Sequence, residues 1–429
     1  MNIVRRARAF VQSLRALAGR SGWDWRRCPR CGERVTYKNG SYTRRPWFFE
    51  GRQTVRVQRH RCHRCRRSYS EHSALLVGGS WYAREVHRCA IDHWQHVGSS
   101  LRRTAEWVRS WLGHQERWLL WRPLDEPSAG LERCYLSAST VERWLDRAGA
   151  QAERTLGGQL AGVAGSGQLA TDGLWARLRG GTTRVVLLLV DGVSGLVYPP
   201  VVAAGEATAA AWERVFARAV RAGLALETLA GVTSDGARGL GAYLNAAREW
   251  VNHQRCVFHL WRSLGGELAA AGRAAAAGLA GVAAEEARRQ ARQELVGLLH
   301  GVLDAASEAA ARAALASLAA HPLGAGLARA AAEHSEAALI HLKRYNRGLV
   351  RVAPEWCWRD FRLRLSHGRN HGSDRRLERA ALVWASYRNF TPAQERSERK
   401  HRYRHPGQSP LVAAGVPPGT ASYLDALAV

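Results

Sequence analysis

The chain has 429 residues, with 63 Lys and Arg against 36 Asp and Glu, a net charge of +27. A positive charge of this size points to a polyanionic partner, most often nucleic acid, and 46% hydrophobic residues over this length allow two to four domains with a large core. The absence of a signal peptide and of any apolar run near 18 residues excludes a membrane-spanning protein and predicts a cytoplasmic, nucleoid-associated one.

Coding bias toward Ala and Arg does not account for the whole charge, because residues 1–70 hold 19 Lys and Arg against 3 Asp and Glu. Residues 1–25 read as a short basic amphipathic helix with a connection. Then come Cys28-Pro29-Arg30-Cys31 and, after a 30-residue spacer, Cys62-His63-Arg64-Cys65. In a cytosolic chain the 8 cysteines are metal ligands or packed thiols rather than disulfides. Two Cys-x-x-Cys knuckles each wrap one side of a tetrahedral Zn2+. Val35, Tyr37, Val55 and Val57 alternate as in strands, which predicts a zinc ribbon over residues 1–75, with a hairpin or loop around Arg44-Arg45-Pro46-Trp47. Four thiolates complete the shell, so His60, His63 and His72 are read as basic surface. Arg44, Arg45, Arg64, Arg66 and Arg67 are candidate DNA contacts.

Residues 76–156 are helical and rich in Trp. A helix from Trp81 to His96 places Val86, Ala90, Ile91 and Trp94 on one face, and Gly98 stops it. Ser100 caps a second helix, Leu101 to Leu112, which Gly113 ends. Pro123 and Pro127 mark a linker. Ser139-Thr140-Val141-Glu142 reads as a capping box opening a third helix. Short helices with tight joints suggest helix-turn-helix units in which Thr140, Glu142 and Arg143 face a DNA groove. The tryptophans are assigned to the core rather than to base stacking.

A Gly/Ala-rich joint from Gly157 to Gly167 leads into the central stretch, which closes at His259. Gln168 to Asp172, Arg184 to Val190 and Leu196 to Val202 are apolar runs; Asp191-Gly192 and Ser194-Gly195 are turn dipeptides. They predict an antiparallel meander. A helical pattern from about Ala207 to Ala222 precedes another run ending at Asp235, and this alternation calls for a parallel crossover. Asp172 and Asp235 are each predicted at the C-terminal end of a strand. On neighbouring strands they would converge, and converging carboxylates bind Mg2+ or Mn2+. Asp191 is a weaker rival for Asp172, since turns favour Asp for their own reasons.

Thr171-Asp172-Gly173-Leu174-Trp175, Ser234-Asp235-Gly236-Ala237-Arg238-Gly239-Leu240 and Gln254-Arg255-Cys256-Val257-Phe258-His259 together resemble the core of Mutator-like DDE transposases. The resemblance covers about half the chain. It implies a ribonuclease-H-like α/β core with a mixed sheet over residues 157–390, interrupted by a helical insertion at about 265–345. It implies Mg2+-dependent DNA cleavage and strand transfer at Asp172, Asp235 and a final Glu, with Cys256 and His259 beside the centre. His259 is assigned there to a phosphate or to the support of Asp235 rather than to metal. Double-stranded DNA, as element ends and target, is the implied partner, and bringing two ends together implies a homodimer or larger assembly.

Residues 265–335 are dominated by Ala with Leu, Arg and Glu, and His321-Pro322 breaks the run, which fits several helices. In Pro354-Glu355-Trp356-Cys357-Trp358-Arg359-Asp360-Phe361-Arg362, Glu355 lies near a helix start with Arg359 and Arg362 on its face. This resembles the family's last motif and makes Glu355 the candidate third carboxylate, with Arg359 and Arg362 as DNA contacts. Glu378 and Glu336 stay open as alternatives. A basic tail occupies 391–429. Two other functions compete: a catalytically inactive, transposase-derived DNA-binding regulator, and a ribonuclease-H-like nuclease that cuts without joining.

Overall fold

The computed structural model describes residues 27–70, 75–112, 135–161, 163, 165–248, 250–343, 361, 362, 364, 371–392, 405, 407–417 and 422–427. The expected N-terminal basic helix, the Pro123/Pro127 linker, His72, Glu355, Arg359 and most of the stretch 393–406 lie outside the described residues. The chain forms two compact units. One takes Met1–Thr155, Leu363–Arg369 and Gly419–Val429, and the other takes Leu156–Arg362 and Asn370–Pro418. The expected ribbon and helical region thus share one unit, and the expected tail is divided between both.

In the first unit, β1 (Thr36–Arg44) pairs antiparallel with β4 (Val55–Cys62), which pairs antiparallel with β5 (Ser68–Ser70). Between β1 and β4 lies a two-stranded hairpin, β2 (Trp47–Phe48) and β3 (Gly51–Arg52). Helix α1 (Arg84–Val97) begins later than expected, leaving Trp81 ahead of it and 69% exposed. It buries Val86, Ala90, Ile91 and Trp94 as the periodicity predicts, and Gly98 closes it in the left-handed region at φ 65°. Ser100 caps α2 (Leu101–Trp111), its hydroxyl accepting the Arg103 amide at 3.2 Å.

Helix α3 (Ala138–Leu160) departs from expectation at both ends. Ser137, not Ser139, takes the capping role and accepts the Thr140 amide at 3.2 Å. The helix also runs on through Gly157 and Gly158. Val141, Leu145, Ala148, Ala152, Leu156 and Leu160 form a buried stripe at helical spacing, and that burial outweighs the roughly 1 kcal/mol cost of each internal Gly. The last residues of the chain join this first unit: Tyr423 donates to Asp92 at 2.8 Å, and Asp425 pairs with the buried Arg88 at 2.8 Å.

The second unit is built on a five-stranded sheet of order β10-β9-β6-β7-β8. Strands β6 (Gln168–Arg177), β7 (Thr183–Asp191) and β8 (Val201–Ala203) form the antiparallel meander that the turn dipeptides predict. After α4 (Ala209–Arg221), β9 (Gly231–Ser234) returns parallel to β6; after α5 (Arg238–Ala247), β10 (Asn252–Arg255) lies parallel to β9. Trp212 and Phe216 of α4 pack in one core with Leu187 and Leu189 of β7 and Val232 of β9.

The central stretch closes on a strand and a helix. Strand β10 stops at Arg255, and Cys256 caps a short helix α6 (Val257–Ser263). Four helices then fill the expected insertion: α7 (Gly265–Ala275), α8 (Gly281–Leu303), α9 (Glu308–Ala320) and α10 (Ala325–Ala338). They close over their own core, which includes Leu260, Leu268, Leu295, Leu299, Leu318 and Leu327. Helix α11 (Asp374–Phe390) returns to the sheet. Among the described residues no helix is long and apolar enough to cross a membrane.

Asn389 of α11 is fully buried and holds Val197 by both backbone groups: its amide donates to the carbonyl at 2.9 Å and its oxygen accepts the N–H at 2.8 Å. Asn389→Ala leaves two buried backbone groups unpaired. The expected result is a loss of about 2–4 kcal/mol in the urea unfolding transition of this unit.

Candidate functional site

The first cluster of chemistry-bearing side chains is made of thiols. Cys28 and Cys31 precede β1, Cys62 ends β4, and Cys65 lies in the turn into β5. The two knuckles are copies of one turn. The Cys28 carbonyl accepts the Gly32 amide at 2.9 Å, and the Cys62 carbonyl accepts the Arg66 amide at 3.1 Å. Cys28 donates its own amide to Glu33, and Cys62 to Arg67. Gly32 and Arg66, the matching residues, both sit in the left-handed region, at φ 71° and 59°. Facing each other, the knuckles bring Cys28 and Cys65 Sγ to 3.6 Å and Cys31 and Cys62 Sγ to 3.5 Å, and all four sulfurs lie within 4.8 Å of one another.

Around a tetrahedral ion with bonds of about 2.3 Å, sulfurs stand roughly 3.8 Å apart. The cluster therefore fits a metal ion such as zinc. Burial pushes the Cys28 thiol up, but amide N–H groups from Arg30 and Cys31 and the neighbouring thiols outweigh it and hold it at about 7.

The histidines near the knuckles divide. His63 is exposed as expected, whereas His60 is buried and stacked on Tyr69 at 5.6 Å between ring centroids. Of the arginines assigned to DNA, Arg45, Arg64, Arg66 and Arg67 are exposed. Arg44 is not a free surface cation: its guanidinium donates to the carbonyls of Val77 and Ser80 and ties the end of β1 to that loop.

The second cluster lies on the sheet. Asp172 was expected at a strand end, but β6 continues five residues beyond it, to Arg177. Asp172 is therefore mid-strand and buried at 6% exposure, with its Oδ1 accepting the Gly173 amide at 2.8 Å. Asp235 does follow the last residue of β9, and its Oδ1 accepts the Ala237 amide at 3.0 Å. The parallel register pairs Leu169 with Val232 and Ala170 with Thr233. The ladder ends at that pair; counted two residues further, past the end of β9, Asp235 is level with Asp172 along the chain. The rival Asp191 is a turn cap: its carboxylate accepts the Ser166, Val193 and Ser194 amides and both serine hydroxyls.

Glu206, between β8 and α4, is the acid that sequence reasoning missed. A Cβ on Gly173 would lie 2.3 Å from Glu206 Oε2, and one on Gly239 would lie 2.3 Å from the Glu206 carbonyl oxygen. The glycines of both Asp-bearing motifs thus make room for this residue. Burial and the charge of Asp235 raise the Glu206 carboxyl above its usual range, against a hydrogen bond from Trp175 and the influence of His259. Strand alternation puts Gly173 and Trp175 on one face of β6 and Asp172 on the other.

Arg255, at the end of β10, lays its guanidinium against Gly236, next to Asp235: a Cβ there would be 3.7 Å from its Nε. His253 bonds Ser234 Oγ at 2.7 Å, and burial lowers its pKa against the pull of Asp235. His259 lies in the first turn of α6, and Cys256 is fully buried.

The alternative third carboxylates are placed elsewhere. Glu378 pairs with Arg218 at 2.6 Å and accepts the Val202 amide at 3.0 Å, which makes it a tie between α11, α4 and β8. Glu336 is exposed on α10. Arg362 is exposed. Among the described residues the thiols are the one group of three or more ligating side chains within 4.8 Å, so Asp172, Asp235 and Glu206 do not form a closed cage. Compared with models of known protein families and with curated proteins, the chain matches none.

The thiol cluster makes a direct prediction. Purified protein should carry one divalent metal ion per chain by elemental analysis, and Cys62→Ser should lose it.

Proposed function

We propose that the chain is a DDE-type transposase of the Mutator-like kind, which binds element ends and carries out Mg2+-dependent DNA cleavage and strand transfer on a ribonuclease-H-like core. The observation that carries this reading is the parallel pairing of β6, which bears Asp172, with β9, which Asp235 directly follows. The order of the sheet supports it too: a meander, then two parallel strands added on the other side of β6.

In this reading Asp172 and Asp235 supply the oxygen donors that Mg2+ takes, with Glu355 as the expected third. Bound there, the metal would activate the attacking water or 3′-hydroxyl and stabilise the leaving oxygen. Glu206 adds negative charge beside Asp235, and Arg255 supplies a cation for the phosphodiester. His259 acts on the same acidic group through Glu206. Zn2+ on the four cysteines fixes the knuckles, and the exposed Arg45, Arg64, Arg66 and Arg67 face the DNA backbone. Two copies of the chain hold the two ends.

The test is cleavage of the DNA flanking the gene with Mg2+ or Mn2+. Wild type should cut at an inverted repeat. Asp172→Asn and Asp235→Asn should each slow cutting by about 10³-fold, the effect of losing several kcal/mol of charge stabilisation, while still binding the ends. Full cutting by either variant sinks the reading. Binding without cutting by wild type points to a regulator, and cutting without end preference points to a nuclease.

Glu206 gives a second prediction. Its folded pKa is raised, so ionising it costs stability as pH climbs through the carboxylate range. Without added Mg2+, Glu206→Gln should match wild type below about pH 4 and be the more stable protein near pH 7. Thermal melting across pH checks this.

A further inference from the structure

We propose that a cleft in the first unit binds one unpaired nucleotide of a DNA strand. The cleft has a volume of about 640 Å³, within the ~300–1,000 Å³ range of small-molecule sites. One wall is the β2–β3 hairpin with the Gly79–Tyr82 loop, and the other is α3 with Tyr135 ahead of it. Arg52 sets its guanidinium 5.6 Å from the Trp47 ring centre and 5.9 Å from that of Trp81. Trp81 is 69% exposed and Tyr135 is 80% exposed, so two large aromatic faces stand open to solvent. Arg143 and Arg147 of α3 also line the cleft, and no carboxylate does.

This lining selects its ligand by chemistry. The guanidiniums of Arg143 and Arg147 favour an anion over a cation or a neutral apolar group. Open indole and phenol faces favour a flat π-system, since stacking on them is strong and indifferent to sequence. A group that is both flat and anionic is a nucleotide. Arg143 and Arg147 are one helical turn apart, about 6 Å, and can hold the phosphates on either side of a single base. The ligand is part of a strand because one wall of the cleft, the β2–β3 hairpin, belongs to the most basic part of the chain, where residues 1–70 hold 19 Lys and Arg.

The strand is unpaired because the surface is concave. Thr140 and Arg143, expected on a helix face that meets DNA, line a cavity backed by the buried Trp144. Trp81, assigned from sequence to the core, is one of its walls. None of this depends on Asp172 or Asp235, and the measurement omits magnesium, so the catalytic reading and this one fail separately.

The experiment uses the full chain and labelled dT12, followed by anisotropy and by quenching of tryptophan fluorescence. A 12-base-pair duplex, U12 and free dTMP are the comparisons. Trp81→Ala should weaken dT12 binding about 5- to 100-fold, the range for one lost base stack, with duplex affinity unchanged. Trp81→Phe should retain most of the binding. Tyr135→Ala, a change at a mostly exposed residue, should weaken it as well. Arg147→Ala should make the salt dependence shallower by about 0.7 in log–log slope. Wild-type affinity for dT12 in both aromatic→Ala variants overturns the proposal. So does dTMP competing as well as dT12, which would make the cleft a free-nucleotide site, or U12 binding at least as tightly, which would make it an RNA site.

Discussion

Strand β6 is paired on both flanks, and the second unit depends on that. Nine register pairs join it to β7, and a parallel ladder joins it to β9. A central strand cannot slip by one residue without turning every side chain to the opposite face. Here a slip would drive Leu169 out of the core and carry Asp172 away from its place opposite Leu188. The position of Asp172 is therefore fixed by backbone hydrogen bonds and apolar burial.

The same economy appears in Glu206. Two absent side chains make its space, and Trp212 Nε1 donates to its carbonyl at 2.9 Å. Gly173 and Gly239 belong to separate motifs, one in β6 and one in α5, yet both leave space for the same residue. The thiol cluster follows another logic. There a local turn is made twice, and pairing of β1 with β4 brings the two copies together.

What could be read from the sequence was local. Cysteine spacing, the turn dipeptides after β7, and the stops and caps at Gly98 and Ser100 are set within a few residues, and they appear in the structure as expected. What could not be read was tertiary. Nothing near Gly173 says that β6 continues past Asp172; its pairing with β7 does. Ser139 looks like a cap until burial along α3 starts the helix at Ala138. Arg44 looks like a DNA contact until the Val77–Ser80 loop uses its donors. Glu206 stands in an unremarkable Gly-Glu-Ala-Thr run, and only the folded chain sets it beside Asp235. A pair of motif glycines with no turn to make was the one available signal.

The clasp between Asn389 and Val197 spans 192 residues of chain. During synthesis at ~5–20 residues per second, roughly 10–40 s pass between the emergence of Val197 and that of its partner. For that interval β8, the last strand on its side of the sheet, has no α11 to cover it. An open edge of this kind templates pairing with other chains. The helical insertion, whose contacts are mostly with its own neighbours in sequence, can fold while the wait lasts. Its length thus acts as a delay before the sheet is sealed, and lengthening it would extend the time in which nascent chains can associate through β8.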